Sequence, residues 1–366
     1  MDSLHMDYRE PKPRQEAGGC VRPLVQTYHC TRWEAEVIEA GSKQIAEMGG
    51  PDAAGAAEIA AICGRTISAR WPTQKRNLAQ HYTRGDIAAI VFDHLPTTVD
   101  DALPSSLPDI ATLEAAPQTR FLAARNQVLL ALLNERAFAF DIDNHAKITR
   151  LVANFKGGGL TKVEGEERGN APGLSSHHGV ALGAHTEAPY YATTESAGEH
   201  SPAPTTLILS ARWNPGNEAT TIIPIQPILD KLGGLASLGL GLSYYGFSRS
   251  DSFTSDDDAS PRHVRVIDLL PDGRVAIRYN DYRIFPEPTA PPMARQALEE
   301  FRRQLAKCIP VKVNLQPSRA VAINNYAALH ARDVVMDNRR LLIRLFGYAA
   351  DVRYITVSTD PLVVRG

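Results

Sequence analysis

The chain has 366 residues, with 39 basic and 41 acidic side chains, and 43% of its residues are hydrophobic. This length and this hydrophobic content suit a globular protein with a sizeable core. Because opposite charges are mixed along the chain, the sequence gives no reason to expect binding to nucleic acid or to an anionic membrane surface. We therefore expect a small-molecule partner.

The cysteines and the N-terminus bear on the cellular compartment. Cys20, Cys30, Cys63 and Cys308 are scattered along the chain and form no CxxC pair, which does not fit a disulfide framework. The first twenty residues are polar, and no later apolar run approaches the length of a membrane span. These features predict a cytoplasmic protein without an export signal or a membrane segment.

The N-terminal part of the chain predicts a short tail followed by helices. Residues 1–30 carry proline, glycine and charge with little apolar periodicity, which predicts a poorly ordered tail. Residues 31–146 form a helix-rich part that begins with a capping box at Thr31 and Glu34. Helices are predicted at 34–48, 55–63 and 119–137, and a buried strand at 87–95.

Short apolar segments dominate residues 147–360, and this spacing predicts a β-sandwich or jelly roll. One helix, at 292–308, interrupts the strands, and Gly273 supplies the positive φ for a hairpin turn. The predicted strands cover residues 147–155, 205–213, 220–225, 263–270, 274–280, 309–315, 318–325, 341–348 and 352–357. We interpret residues 31–366 as a single α+β domain in which the helical region packs on the β core.

Three segments of this β region are too long for simple turns, namely those near 156–176, 188–204 and 246–262. Loops of that length in a compact domain often act as lids over a site, and a disordered surface insertion is the alternative for 188–204 and 246–262. His177 and His178 follow the first segment, and we interpret them as lid residues or as neighbours of the site, with a solvated loop as the alternative.

The segment Gly-Ala-His185-Thr186-Glu187 carries the strongest chemical signal. On an extended strand, residues i and i+2 point to the same side, so His185 and Glu187 can bind one metal ion. His330, which follows the predicted strand at 318–325, is the candidate for a third ligand. Two histidines and one carboxylate leave open positions for dioxygen and a co-substrate, and this geometry favours Fe(II).

Arg344 lies fourteen residues after His330, inside the apolar segment LLIRLFGY. A buried arginine is rarely left unpaired, because its charge is costly to bury. Its planar fork can bind a carboxylate through two contacts. An arginine held by an internal acid is the alternative, but the two metal half-motifs favour a carboxylate co-substrate.

Together, His-Thr-Glu, a late histidine after Asn324-Asn325 and an arginine fourteen residues beyond it resemble the Fe(II)/2-oxoglutarate oxygenases of the clavaminate synthase-like family. That family includes hydroxylases of free asparagine, arginine and lysine. The resemblance spans roughly residues 147–350. It implies a double-stranded β-helix core, consumption of O2 and 2-oxoglutarate, and release of succinate and CO2.

The resemblance also implies roles for individual residues. Iron(II) would be held by His185, Glu187 and His330. The distal carboxylate of 2-oxoglutarate would pair with Arg344, and either Thr220 or Thr221 would contact the same co-substrate. Because Glu187 occupies the position that related halogenases leave to a small residue, the resemblance argues against halogenation.

For the substrate, the resemblance implies a free, polar amino acid held near Asn154, Ser175, Asn280 and Asp281. The amide of Asn154 can donate and accept at once, which suits an amino-acid head group. Asp281 favours a cationic side chain, whereas Arg283 would neutralise that acid or select an anionic group. Solvated hairpin charges are the alternative for both residues.

Two departures from the family pattern concern the substrate. Many members carry a second arginine four residues after the first, and this chain has Tyr348 there. Arginine hydroxylases place carboxylates on the strand that corresponds to RYNDYRI, where this chain offers Asn280, Asp281 and Arg283. Anchoring of the substrate therefore differs from those relatives, and a guanidinium substrate is disfavoured.

Other interpretations of the same residues remain open. Desaturation or cyclisation in natural-product biosynthesis would need the same metal and co-substrate as hydroxylation. A metal-binding β-barrel without turnover, such as a sensor, would need the metal ligands but not Arg344. Trp213 and Tyr190 could line a pocket, although aromatic residues near strands usually belong to the core.

Overall fold

A computed structural model describes residues 24–97, 101–156, 177–196, 198–248, 263–270 and 273–366. None of the helices in these ranges is both long enough and apolar enough to span a membrane. The α-helices are α1 (Arg32–Glu47), α2 (Ala56–Ser68), α3 (Thr73–Thr83), α4 (Ile110–Ala115), α5 (Pro117–Leu132), α6 (Gln226–Leu229), α7 (Gly234–Leu240) and α8 (Pro292–Ala306).

The strands build two main sheets. In chain order they are β1 (Val25–His29), β2 (Ala89–Asp93), β3 (Glu135–Phe140), β4 (Arg150–Val152), β5 (Leu182–His185), β6 (Thr206–Trp213), β7 (Ala219–Pro224), β8 (Tyr245–Phe247), β9 (Ile267–Leu269), β10 (Val275–Ile277), β11 (Ile284–Pro286), β12 (Val311–Asn314), β13 (Ala320–Asn324), β14 (Ala328–Arg332), β15 (Leu341–Ala349), β16 (Thr356–Thr359) and β17 (Leu362–Val364). A nine-stranded mixed sheet has the order β1-β2-β13-β6-β15-β3-β17-β16, with β4 also paired to β15. A four-stranded sheet has the order β12-β7-β14-β5.

Strand alternation gives the large sheet two buried faces. On β6, Ile208 belongs to the core that α1, α2 and α5 form on one face. Leu207 and Leu209 belong to a second core, which they share with Ile222 of β7 and Ala328 of β14. Because successive side chains of a strand point to opposite faces, this second core lies between the two sheets.

The four-stranded sheet is buried on its outer face as well. Ile223 of β7 and Leu329 of β14 share a third core with Leu298 and Phe301 of α8. The outer helices therefore cover the sheet that carries β5 and β14. This arrangement leaves the space between the sheets as the place where side chains of both can meet.

The predicted helices are confirmed, but two differ in extent, and α2 continues to Ser68. The capping box at Thr31 and Glu34 begins α1, and the segments 55–63 and 292–308 correspond to α2 and α8. The predicted helix at 119–137 is too long, because α5 ends at Leu132 and Asn134 has a φ of 61°. Residues from Glu135 onward instead form β3, which pairs with β15. Helices α3, α4, α6 and α7 were not predicted.

The expected tail is wrong at its C-terminal end. Residues Val25–His29 form β1, which pairs in parallel with β2 and extends the large sheet. Tyr28 of this strand is buried, and its hydroxyl donates to Glu34 of α1 at 2.7 Å. Residues 1–23 lie outside the described ranges, so the rest of that prediction stays untested.

Most predicted strands are confirmed, with small shifts at their ends. The predicted hairpin corresponds to antiparallel β9 and β10, with Gly273 at a φ of 83°. The strand predicted at 352–357 is displaced, since β16 begins at Thr356. The extended strand expected at His185 is confirmed as β5, whereas β8, β11, β14 and β17 were not predicted as separate elements.

Of the three predicted lids, only 188–204 lies mainly within the described residues. Ala188, Tyr191, Thr193 and Ser201 of this segment are buried. A disordered surface insertion is therefore wrong for its described residues. The segments near 156–176 and 246–262 fall almost wholly outside the described ranges.

Candidate metal centre and cavity

His185, Glu187 and His330 meet at one end of the space between the sheets. Their potential ligand atoms all lie within 4.8 Å of one another. His185 is the last residue of β5 and is directly opposite His330 of β14, with ring centroids 4.1 Å apart. Glu187 follows two residues after β5, so the predicted i, i+2 spacing brings its carboxylate to the same side.

Strand alternation explains why these side chains face inward. On β14, Leu329 points to the outer core, whereas Ala328 belongs to the core between the sheets. His330 has the same parity as Ala328 and is therefore directed between the sheets. On β5, Ala184 points to the outer core, which leaves His185 on the inner side.

The imidazole of His185 is arranged to offer one lone pair. Its Nδ1 lies 2.8 Å from the carbonyl oxygen of Gly183, so a proton on Nδ1 leaves Nε2 as the metal-binding atom. Burial, together with the nearby His330, lowers the pKa of His185 to about 3. A neutral imidazole is the form that binds a metal ion.

Glu187 is held as a carboxylate. Burial alone raises its pKa, but the cation of Arg344 and the hydrogen bond with His330 bring that pKa well below its usual range. Nη1 of Arg344 donates to Oε1 of Glu187 at 3.0 Å, and Nε2 of His330 lies 3.6 Å from the same oxygen. The site therefore presents two imidazoles and one ionised carboxylate.

Asn325, which directly follows β13, fixes the backbone of Glu187. Its Oδ1 accepts from the amide N–H of Glu187 at 2.8 Å, and its Nδ2 donates to the carbonyl of Glu187 at 3.0 Å. The same Nδ2 lies 2.9 Å from the carbonyl of Pro204. One buried amide thus ties the segment after β5 to the end of β13.

Arg344 lies on β15 with the parity of Leu342 and Phe346, both in the core between the sheets. Its guanidinium contacts two acids, Glu187 through Nη1 and Asp143 through Nη2 at 3.5 Å. It also lies over the ring of Phe346, with 3.9 Å between Cζ and the ring centroid. Arg344 is therefore buried beside the three potential metal ligands. This is the position that a residue binding the co-substrate needs.

A cavity of about 160 Å³ adjoins these residues. Its wall includes His185, Glu187, His330, Arg344 and Thr220. Thr221 is not in the wall, because it has the parity of Ile223, which faces α8. Of the two threonines that the sequence left open, Thr220 is the one that faces the cavity.

The predicted substrate residues divide into two groups. Asn280 lines the cavity and forms a β-bridge with His185. Asp281 does not line it, since its Oδ1 accepts from the buried hydroxyl of Tyr279 at 2.6 Å. Asn154 also lies outside the wall and donates through Nδ2 to Asn338 at 2.7 Å. Ser175 lies outside the described residues.

The secondary candidates are mostly structural. Nε2 of His177 lies 3.1 Å from the carbonyl of Leu151, and neither His177 nor His178 is in the cavity wall. Trp213 belongs to the core between the helices and the large sheet, whereas Tyr190 lines the cavity. Tyr348 stacks on Phe138 with 3.7 Å between ring centroids, so it cannot replace a substrate-binding arginine.

Several cavity residues were not predicted. Arg332 is two residues after His330 on β14, so strand parity could have found it. Burial lowers its pKa to about 10, and its Nη2 donates to the carbonyls of His178 and Val180. Asp143 and Arg150 form an ion pair in the wall, and no local pattern of the sequence marks them.

A second group of potential metal ligands lies away from this cavity. His29, Asp93 and His94 have ligand atoms within 4.8 Å of one another, but both histidines are exposed. Oδ2 of Asp93 already accepts from Nη2 of Arg319 at 3.0 Å. The triad beside Arg344, in which His330 is buried and His185 and Glu187 are half-buried, is therefore the better candidate for a functional metal centre.

Comparison with known proteins shows similarity in structure rather than in sequence. The sequence matches no protein-family model and no curated protein. Among solved structures, asparagine oxygenase in complex with Fe(II), 2S,3S-3-hydroxyasparagine and succinate is 18% identical, with a TM-score of 0.67. That alignment covers 93% of this chain and 99% of the asparagine oxygenase chain.

A second similar structure is the non-heme iron oxygenase OrfP in complex with Fe and alpha-ketoglutaric acid, at 16% identity and a TM-score of 0.63. That alignment covers 88% of this chain and 94% of the OrfP chain. OrfP in complex with Fe and L-Arg is 16% identical, with a TM-score of 0.60 and coverage of 87% and 93%. The chain therefore has the mixed α+β fold of these iron oxygenases.

Proposed function

We propose that the protein is an Fe(II)- and 2-oxoglutarate-dependent dioxygenase that hydroxylates an unactivated C–H bond of a free amino acid or an amino-acid-derived metabolite. Succinate and CO2 are the co-products. One observation carries this proposal: His185, Glu187 and His330 meet in a cavity whose wall also contains the buried Arg344. The shared fold with oxygenases crystallised with iron, succinate or alpha-ketoglutaric acid supports it.

The residues present fit an iron(II) ion. His185 and His330 supply imidazoles, Glu187 supplies a carboxylate, and the site leaves room in the adjoining cavity for further ligands. Nε2 of His330 lies 3.6 Å from Oε1 of Glu187, so it is the ring nitrogen placed to bind an ion shared with that carboxylate. Bound iron would supply, with 2-oxoglutarate, the redox chemistry that activates dioxygen.

Arg344 and Thr220 would hold the co-substrate. The guanidinium can bind the distal carboxylate of 2-oxoglutarate through two N–H groups, and the hydroxyl of Thr220 can donate to the same carboxylate. Both side chains line the cavity beside the triad. A sensor that only bound metal would not require this buried cation, so Arg344 favours the enzyme over the non-catalytic alternative.

Asn280 is the candidate for substrate contact that we retain. It lines the cavity and is paired with His185, which places its amide next to the proposed metal ligands. Tyr190 adds a second wall to the same cavity. Asn154 and Asp281 do not line it, so any role of theirs would be indirect.

The two facing sheets correspond in this proposal to a double-stranded β-helix, or jelly roll, within a single oxygenase domain of residues 31–366. The segment 188–204 would be a lid, because Ala188, Pro189 and Tyr190 already form part of the cavity wall. Desaturation or cyclisation would use the same residues, and the identity of the product distinguishes them from hydroxylation.

The test combines spectroscopy with turnover. Under anaerobic conditions, Fe(II) and 2-oxoglutarate together should give a visible charge-transfer band, and His185→Ala should abolish it. His81→Ala is the control, because His81 pairs with Asp86 on the surface away from the cavity. Succinate formation is then measured across free amino acids. A band retained in His185→Ala would contradict the assigned metal centre.

A further inference from the structure

The wall of the cavity is rich in arginine. Its described residues include five arginines and two carboxylates, Asp143 and Glu187. Glu187 contacts Arg344 and belongs to the proposed metal centre. Asp143 pairs with Arg150 and with Arg344. Within the described wall, both carboxylates are thus engaged by cations, and a cationic substrate group would find no other acid there.

Asp281, the acid that the sequence suggested for binding a cationic side chain, does not face the cavity. Asp281 accepts from the hydroxyl of Tyr279, whose ring is buried against Phe301 of α8 at 4.9 Å between centroids. The backbone N–H of Asp281 also donates to Ala184 of β5 at 3.0 Å. Both contacts hold Asp281 on the outer side of the four-stranded sheet.

Arg283 lines the cavity instead. Its amide N–H donates to the carbonyl of Asn280 at 3.1 Å, and its carbonyl accepts from Ser248 at 3.0 Å. The turn that carries Arg283 is therefore fixed both to the residue paired with His185 and to the end of β8. Arg283, Asn280 and Ser248 all belong to the cavity wall.

Tyr282 fixes the same turn against β5. Its ring lies so close to Gly183 that a Cβ on that glycine would be 2.8 Å from Cε2 of the tyrosine. A larger residue at 183 would push this ring away, because the contact already lacks space for a methyl group. The ring of Tyr282 thus packs directly on the strand that carries His185.

We propose that the substrate is an amino acid with a side-chain carboxylate, and that Arg283 binds this carboxylate. This inference rests on the proposed oxygenase function and names its substrate class. A guanidinium fork matches a carboxylate in geometry and charge, and the amide of Asn280 can donate to the same group. Three of the five arginines in the described wall, Arg150, Arg340 and Arg344, pair with acids, so it is the position of Arg283 beside Asn280 that favours an anionic side chain.

The first experiment measures succinate formation with aspartate, glutamate, asparagine, glutamine, lysine and arginine, after the anaerobic charge-transfer band has been recorded. We expect aspartate or glutamate to stimulate succinate formation and to bind the Fe(II)- and 2-oxoglutarate-loaded protein in anaerobic calorimetric titrations. The matching amides should bind at least about tenfold more weakly, because they lack the charge that pairs with a guanidinium. Lysine and arginine should have no effect.

The second experiment replaces the arginine. Arg283→Gln should raise KM for the acidic substrate at least about tenfold, with little change in kcat or in KM for 2-oxoglutarate. Arg353→Gln is the control, because Arg353 is an exposed arginine that pairs with Glu195 outside the cavity wall. Arg283→Lys should keep part of the affinity for the acidic substrate, since its side chain retains the positive charge but not the planar guanidinium.

The outcomes separate this inference from the function on which it rests. If the band forms but turnover occurs only with neutral or cationic amino acids, or with none of the six, the proposed substrate class is wrong and the metal centre stands. Unchanged KM in Arg283→Gln overturns the role of Arg283. If no band forms, the proposed function and this inference both fail.

Discussion

Arg344 and Glu187 share a hydrogen bond, with Nη1 of the arginine 3.0 Å from Oε1 of the glutamate. The same oxygen lies 3.6 Å from Nε2 of His330. The residue proposed to bind 2-oxoglutarate therefore already contacts a proposed metal ligand. This geometry combines both interpretations that the sequence allowed, an arginine held by an internal acid and an arginine available to a co-substrate.

Replacing Arg344 with lysine separates these two roles. We expect Arg344→Lys to weaken 2-oxoglutarate binding about tenfold or more, because an ammonium offers a point charge rather than a planar fork. Fe(II) affinity without co-substrate should change little, since a positive charge remains near Glu187. Anaerobic calorimetric titrations of each ligand measure both effects. Equal losses of affinity for Fe(II) and for 2-oxoglutarate would show that Arg344 only stabilises the metal ligands.

Asn325 provides a test of how the carboxylate ligand is positioned. Asn325→Ala removes both hydrogen bonds to the backbone of Glu187. We expect metal affinity to fall about 10- to 100-fold, the usual cost of losing a group that orients a metal ligand. Fe(II) titration followed by the charge-transfer band measures this loss.

Asn324→Ala is the matched control for that variant. Asn324 is also buried and bonds to the backbone of Tyr82, Tyr326 and Ala327, but not to Glu187. The Asn324→Ala variant should have a lower free energy of unfolding without a comparable loss of metal affinity. If the two variants lose metal affinity in proportion to their stability, Asn325 has only a structural role.

Thr220 and Thr221 form a natural pair for testing the co-substrate pocket. Both are buried on β7, but only Thr220 lines the cavity. Thr220→Val should weaken 2-oxoglutarate binding roughly fivefold, which corresponds to about 1 kcal/mol for one lost hydrogen bond. Thr221→Val should bind the co-substrate like the wild type. The reverse order in titrations would assign the contact to Thr221 and contradict the parity argument.

The features that were predicted correctly depend on short-range patterns. The capping box at Thr31 and Glu34 is encoded within four residues, and the spacing of His185 and Glu187 follows from strand parity. Parity also places His330 and Arg344 on inward-facing positions once their strands are known. These residues could be assigned because one local rule determines where each side chain points.

The features that were missed depend on tertiary contacts. Residues 135–137 continue a helical pattern in sequence, yet pairing with β15 makes them a strand. Asp281 and Arg283 lie in a turn where strand alternation does not apply, and the hydrogen bond with Tyr279 decides that Asp281 faces outward. Neither contact leaves a signal in the neighbouring sequence. The side chains facing the substrate were therefore less predictable than the metal ligands.

Glu135 is a buried acid outside the proposed chemistry. It lies at the start of β3, and its carboxylate oxygens accept from the hydroxyls of Thr206 at 2.6 Å and Thr205 at 3.2 Å. A Cβ on Gly347 would lie 2.5 Å from its Oε2, so the neighbouring strand leaves no space for water on that side. Burial is the main cause that raises the pKa of Glu135 to about 7.

This raised pKa predicts how stability depends on pH. Between about pH 4.5 and 7, the folded protein keeps the Glu135 proton that the unfolded chain releases. As the pH rises through this range, Glu135 therefore lowers the free energy of unfolding by about 1.4 kcal/mol per pH unit. A glutamine at this position cannot ionise. The free energy of unfolding of Glu135→Gln should therefore fall by about 2–3 kcal/mol less than that of the wild type when the pH is raised from 4.5 to 8. Urea unfolding at both pH values measures the difference, with the exposed Glu58→Gln as the control. Parallel losses in wild type and Glu135→Gln would mean that the Glu135 carboxyl titrates normally in the folded protein, despite its burial between Thr206 and Gly347.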